Sequence, residues 1–150
     1  MIHPKIKEWL KRYLPAEIVG TFTAVGVATI THLFTANYIF IAYTATLGEA
    51  FGFYSTVIIQ NIITANKKNE LKNKSFKFSD FSKIIAGIVL EFGPSGLLDG
   101  LLLRPFFMYL FPILMKNFTL GILAGKIAGD CTFYMLVILS YEMKKRYKKI

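Results

Sequence analysis

The chain has 150 residues, 54% of them hydrophobic and only 18% charged, whereas soluble domains are usually about a quarter charged and below half apolar. That excludes an ordinary soluble enzyme, a disordered protein and, with Cys131 the single cysteine, a disulfide scaffold. The net charge of +9 does not point to nucleic acid, because the basic residues stand in tight blocks between long apolar stretches, the layout of a polytopic membrane protein.

In chain order, residues 1–14 predict an amphipathic interfacial helix on anionic lipid headgroups. Ile6, Trp9, Leu10, Tyr13 and Leu14 fall near one helical face, with lysines opposite. Four apolar stretches follow, Ala16–Thr35, Ile39–Ala65, Ile84–Met115 and Phe118–Tyr141. Each is long enough for the about 20 residues a helix needs to cross the hydrocarbon. The expected fold is an all-α integral membrane protein with four transmembrane helices. A first hairpin spans 15–66, a basic loop 67–79, a second hairpin 80–141 and a basic tail 142–150. Ser79-Asp80 is placed to cap the helix after the loop. The third stretch is too long for one straight span. Its Gly93-Pro94-Ser95-Gly96 predicts a break, with Ser95 capping the second half.

The three basic blocks are Lys5–Arg12, Lys67–Lys83 and Lys144–Lys149. Threading four helices puts all three on one side, so both termini and the middle loop are expected in the cytoplasm, at a prokaryotic inner membrane.

The second and fourth spans look duplicated. Asn37 and Asn117 each follow a short outer turn. Gly48-Glu49 recurs as Gly129-Asp130, and Phe53-Tyr54 as Phe133-Tyr134. Two parallel-repeat hairpins result, an arrangement known from transporters with sites at the repeat interface. Gly48-x-x-x-Gly52 and Gly121-x-x-x-Gly125-x-x-x-Gly129 let backbones approach closely, so these helices are expected to pack on each other or on a second protomer. A homodimer or larger assembly is expected.

Ionisable groups at membrane depth are the unusual feature. Each costs roughly 2.5–3.5 kcal/mol to insert, so six would together cost about 15–20 kcal/mol. That exceeds a domain's usual stability of about 5–15 kcal/mol. The groups must therefore pair, be neutral or line water. Glu17, after Pro15, suits a helix start near the headgroups, and His32 an outer interface. Glu49, Asp99, Asp130 and Glu91 are the candidate path residues for an ion or substrate. Lys126 lies four residues before Asp130 and is expected to pair with it. Arg104 is the expected partner of Glu49. Carboxylates outnumber bases, which favours cations or protons over anions. Gly93, Ser95 and Gly96 at the break, with Arg104, form a possible headgroup-binding feature.

Asp99-Gly100 and Arg104 are similar to the opening of the CDP-alcohol phosphotransferase motif. Leu103, Ile113, Asn117 and Gly121 stand where that motif needs alanine, glycine and two further aspartates, so its paired-metal site cannot form. No phosphate-binding loop, metal-binding cluster or nucleophile constellation is recognisable, and no cofactor or metal is expected. In topology the chain resembles the GtrA-like family of small four-helix membrane proteins. Asn61, Asn66, Lys67 and Lys68 stand where that family has a basic cluster. The resemblance implies flipping of polyprenyl-linked sugars and assigns no site residue.

The leading expectation is a small transporter or channel-like protein for a cationic solute, with proton coupling available because desolvated carboxyls hold protons tightly. The alternatives are a membrane-embedded lipid-phosphate enzyme or lipid-linked flippase, and an accessory membrane subunit.

Overall fold

The computed structural model describes residues 4–147, apart from the side chains at positions 5, 9, 91, 137, 140–145 and 147. The described residues are helical, with short connections and no strand. Helix α1 covers Pro4–Phe34, α2 Tyr38–Glu70, α3 Phe78–Leu98, α4 Arg104–Met115 and α5 Phe118–Tyr147, and a π-helical turn, Asp99–Leu103, joins α3 to α4. Two segments are long and apolar enough to cross a membrane, Ile6–Phe34 and Phe92–Met115.

The helices run past the apolar stretches: α2 continues to Glu70, α3 begins at Phe78, α5 continues to Tyr147, and α1 has the largest extension, back to Pro4. α1 runs without interruption through Pro15, so residues 4–14 and the first apolar stretch form a single helix. The turns between α1 and α2 and between α4 and α5 fall at 35–37 and 116–117. Both asparagines that mark the expected duplication cap the helix that follows. Asn37 Oδ1 accepts from the Ile39 and Phe40 amides, and Asn117 Oδ1 from the Leu120 amide, satisfying donors that a helix start leaves open. At the middle loop, Lys77 is the N-cap of α3 and Asp80 accepts from its backbone amide at 3.0 Å. Asn69 donates to the same Asp80 oxygen at 3.2 Å, which ties the end of α2 to the start of α3.

The expected break at Gly93–Gly96 is absent: α3 is helical through all four residues, and Ser95 begins no new helix. The irregularity falls later. The Arg104 amide bonds back to the Asp99 carbonyl, five residues away. Pro105 follows and has no N–H to continue the ladder. The Leu101 carbonyl instead accepts from the Tyr43 hydroxyl of α2 at 3.1 Å. Pro94 alone removes one hydrogen bond, and the chain tolerates that; widening by one residue occurs where proline stands at the start of the next helix.

The molecule is two hairpins, α1 on α2 and α4 on α5. The glycines make them close, by packing within each hairpin. A Cβ at Gly48 would lie 2.7 Å from Val27 Cγ2, and one at Gly52 would collide with Thr23, both on α1. A Cβ at Gly121 would strike Pro112, and one at Gly125 would lie 2.7 Å from the Phe107 carbonyl, both on α4. The glycine faces therefore pack neither α2 on α5 nor either helix on another protomer; they are covered by α1 and α4.

Two apolar clusters fill the interior. One holds Tyr13, Ala16, Phe53, Val57, Ile88, Phe92 and Phe133. The other holds Ala24, Ala28, Ile41, Ala42, Ala45, Met108 and Ile122. Small α1 residues meet large residues from the other helices, which is how helices of one bundle interlock. The outer surface is also apolar: Phe22, Leu33, Phe34, Phe51, Leu90 and Met135 are all more than two-thirds exposed.

Candidate functional site

Four stretches of the chain place charged residues between their contributions to the two clusters. On α1, Glu17 lies between Ala16 and Ala24. On α2, Glu49 lies between Ala45 and Phe53. Asp99 and Arg104 lie between Phe92 and Met108, and Lys126 and Asp130 between Ile122 and Phe133. The result is one charged layer with apolar packing on both sides.

Arg104 spreads its guanidinium over three carboxylates. Nη1 donates to Glu49 Oε1, Nε donates to Asp99 Oδ2 at 2.8 Å, and Nη2 lies 3.2 Å from Asp130 Oδ1. The π turn makes the second contact. Five residues along a regular α-helix leave side chains about 140° apart, whereas an i to i+5 turn brings them onto one face. Lys126 does the same with its ammonium, donating to Glu17 Oε2 and Asp130 Oδ2 and lying 3.7 Å from Glu49 Oε1. The Tyr134 hydroxyl donates to the other Glu17 oxygen at 2.8 Å. Asp99, Arg104, Glu49, Asp130, Lys126, Glu17 and Tyr134 thus form one connected network.

The network also joins the hairpins. The first contributes only acids, Glu17 and Glu49. The second contributes both bases and two acids. Among the described residues, four carboxylates face two bases, and Glu49 is 2% exposed. A buried charge is tolerable only when paired, neutral or beside a counter-ion. Three buried carboxylate oxygens, Glu49 Oε2, Asp99 Oδ1 and Asp130 Oδ1, accept no hydrogen bond. Glu49 and Asp99 line a cavity of about 60 Å³ with Thr46, Tyr54, Gly96 and Arg104. That is room for a few waters or one small ion.

The expected pairs Lys126–Asp130 and Arg104–Glu49 are present, and Asp99 joins them. Gly96 lines the cavity beside Tyr54, whereas Gly93 and Ser95 do not. The side chain of Glu91 lies outside the described residues. Glu17 and Tyr134 were missed. Glu17 carried the signal of a helix start, which α1 overrides by extending back to Pro4. Tyr134 was visible only as half of a repeated Phe-Tyr pair. His32 stacks on Phe118 at 4.3 Å, far along α1 from the network. The chain matches no family model, the GtrA-like family included, no curated protein and no solved structure.

Proposed function

We propose that the chain is a four-span membrane protein that binds and passes a cationic solute or protons through its charged interior, as a small transporter or channel-like protein. The observation that carries this is the acid surplus: four carboxylates against two bases, with unpartnered oxygens on Glu49 and Asp99 beside a cavity. Excess negative charge in a low-dielectric interior attracts cations and repels anions.

Membrane insertion is supported by the inverted polarity, apolar outside and charged within. Hydroxyls agree with it. Thr29, Thr46, Thr56 and Thr132 each donate to a carbonyl four residues back, which satisfies them without water. The basic blocks support cytoplasmic termini and a cytoplasmic middle loop at the plasma membrane, and the capping asparagines and paired acids support a parallel repeat. A lipid-phosphate enzyme or flippase has less support, because Arg104 and Lys126 are engaged by carboxylates. An accessory subunit would be expected to save intramembrane charges for its partner, and here they pair within the chain.

Thermal unfolding of the purified protein against metal cations, organic cations and phospholipid headgroups, each at two pH values, tests the assignment. The expected result is cation-specific stabilisation that is lost in Glu49→Gln. Stabilisation by lipid phosphates alone, lost in Arg104→Ala, would replace it with the lipid reading.

A further inference from the structure

The surroundings of Lys126 narrow the class of cation. Its side chain is nearly fully buried, and an ammonium offers three donors and no acceptor. Three carboxylates from three helices meet it: Glu17 of α1, Asp130 of α5 and, at 3.7 Å, Glu49 of α2. One oxygen from each of these carboxylates lies within 4.8 Å of the others. Two hydrogen-bonded carboxylates and a third charge at 3.7 Å suit an ammonium, whereas calcium or magnesium would need at least three further oxygens, from the second carboxylate oxygens or from water. Tyr134, donating to the second Glu17 oxygen, holds that wall of the cage in place.

Cage and cavity share Glu49. Its Oε1 serves Arg104 and faces Lys126, and its Oε2 is buried without a partner. Asp99, with Oδ1 also unpartnered, lines the same cavity. A cation entering the cavity therefore meets a carboxylate that already belongs to the lysine's cage.

We propose, on the basis of the cation-passing function above, that the Glu17–Glu49–Asp130 cage is a binding site for a primary ammonium group. Lys126 occupies it as a tethered ligand, and the solute is a small primary ammonium cation that takes the lysine's place. Displaced, Lys126 retains an acid partner through whichever of Asp130 and Glu49 the solute contacts less closely, so exchange avoids a free buried charge.

The test uses the full-length Lys126→Ala protein, whose emptied cage keeps its three carboxylates. Thermal unfolding is followed in methylammonium, tetramethylammonium, sodium and calcium chlorides at equal ionic strength. The expected result is a lowered unfolding midpoint that methylammonium alone restores towards wild type. Tetramethylammonium has the same charge and no N–H to donate. Equal responses to all salts, no response, or a larger response to calcium would overturn the proposal. Should Lys126→Ala not fold in any of these salts, Lys126→Ala/Asp130→Asn reduces the charge surplus and keeps an acceptor at position 130. Selectivity for methylammonium there supports the cage, and its absence overturns it. Cation flux by wild type without methylammonium selectivity would remove the cage and leave the transport assignment standing. Selectivity without flux by wild type would do the reverse.

Discussion

Arg104 Nη1 of α4 donates to Glu49 Oε1 of α2, across 55 residues of sequence and between the two hairpins. The same guanidinium also serves Asp99 and Asp130, so one base carries much of the neutralisation of the interior. Acids are in surplus, and losing a base should therefore cost more than losing an acid. Arg104→Gln is expected to destabilise the protein by about 3–5 kcal/mol, the usual cost of orphaning a buried charge. Asp99→Asn should cost about 1 kcal/mol, because its amide oxygen still accepts from Nε. Unfolding midpoints of the two purified variants check the order; equal losses would contradict it.

Tyr43 reaches across to the Leu101 carbonyl, beside the π turn that precedes Pro105. Tyr43→Phe removes the donor and nothing else. The expected cost is about 1 kcal/mol, with Tyr109→Phe, for which no such bond exists among the described contacts, as the control in the same unfolding assay.

Glycine substitutions separate close packing from helix propensity. A methyl at Gly121 meets the Pro112 backbone, which cannot swing aside. Gly121→Ala should cost about 1–3 kcal/mol or more by overpacking. Gly87 has open space around its Cβ position, and Gly87→Ala should gain up to about 1 kcal/mol from propensity. Helicity and unfolding midpoints read both effects.

Asp80 gives a pH dependence outside the apolar core. The hydrogen bond from the Lys77 amide, helped by Asn69, holds its carboxyl below the ordinary value. A folded-state value below the unfolded one adds stability above about pH 4, the ordinary aspartate value. That stability is lost as pH falls through the depressed folded value. Wild type should therefore be more stable than Asp80→Asn at neutral pH, and the two should converge in acid. A constant gap across a pH series of unfolding midpoints would exclude the linkage.

Much of this was readable from the residues themselves. Apolar length located the helices, Asn37 and Asn117 the short turns before α2 and α5, and the four-residue spacing of Lys126 and Asp130 their pairing. Glu49, Lys126 and Asp130 interrupt the apolar runs of α2 and α5 while facing inward, and an average along the sequence has no direction. Glu17 was hidden because its partners, Lys126 and Tyr134, stand 109 and 117 residues away. No local spacing reports such contacts. The π turn was hidden for another reason. Gly93-Pro94-Ser95-Gly96 has the stronger composition for a break, yet Pro105, next to Arg104, is where the ladder widens.

The central claim, that the interior carries cations, is tested most directly by flux in sealed vesicles. Purified wild type and Glu49→Gln are reconstituted in parallel, and a pH-sensitive dye inside follows an imposed methylammonium or proton gradient. The expected result is decay of the gradient with wild type, and the protein-free rate with a folded Glu49→Gln. A wild-type protein no faster than empty vesicles for either cation would contradict it.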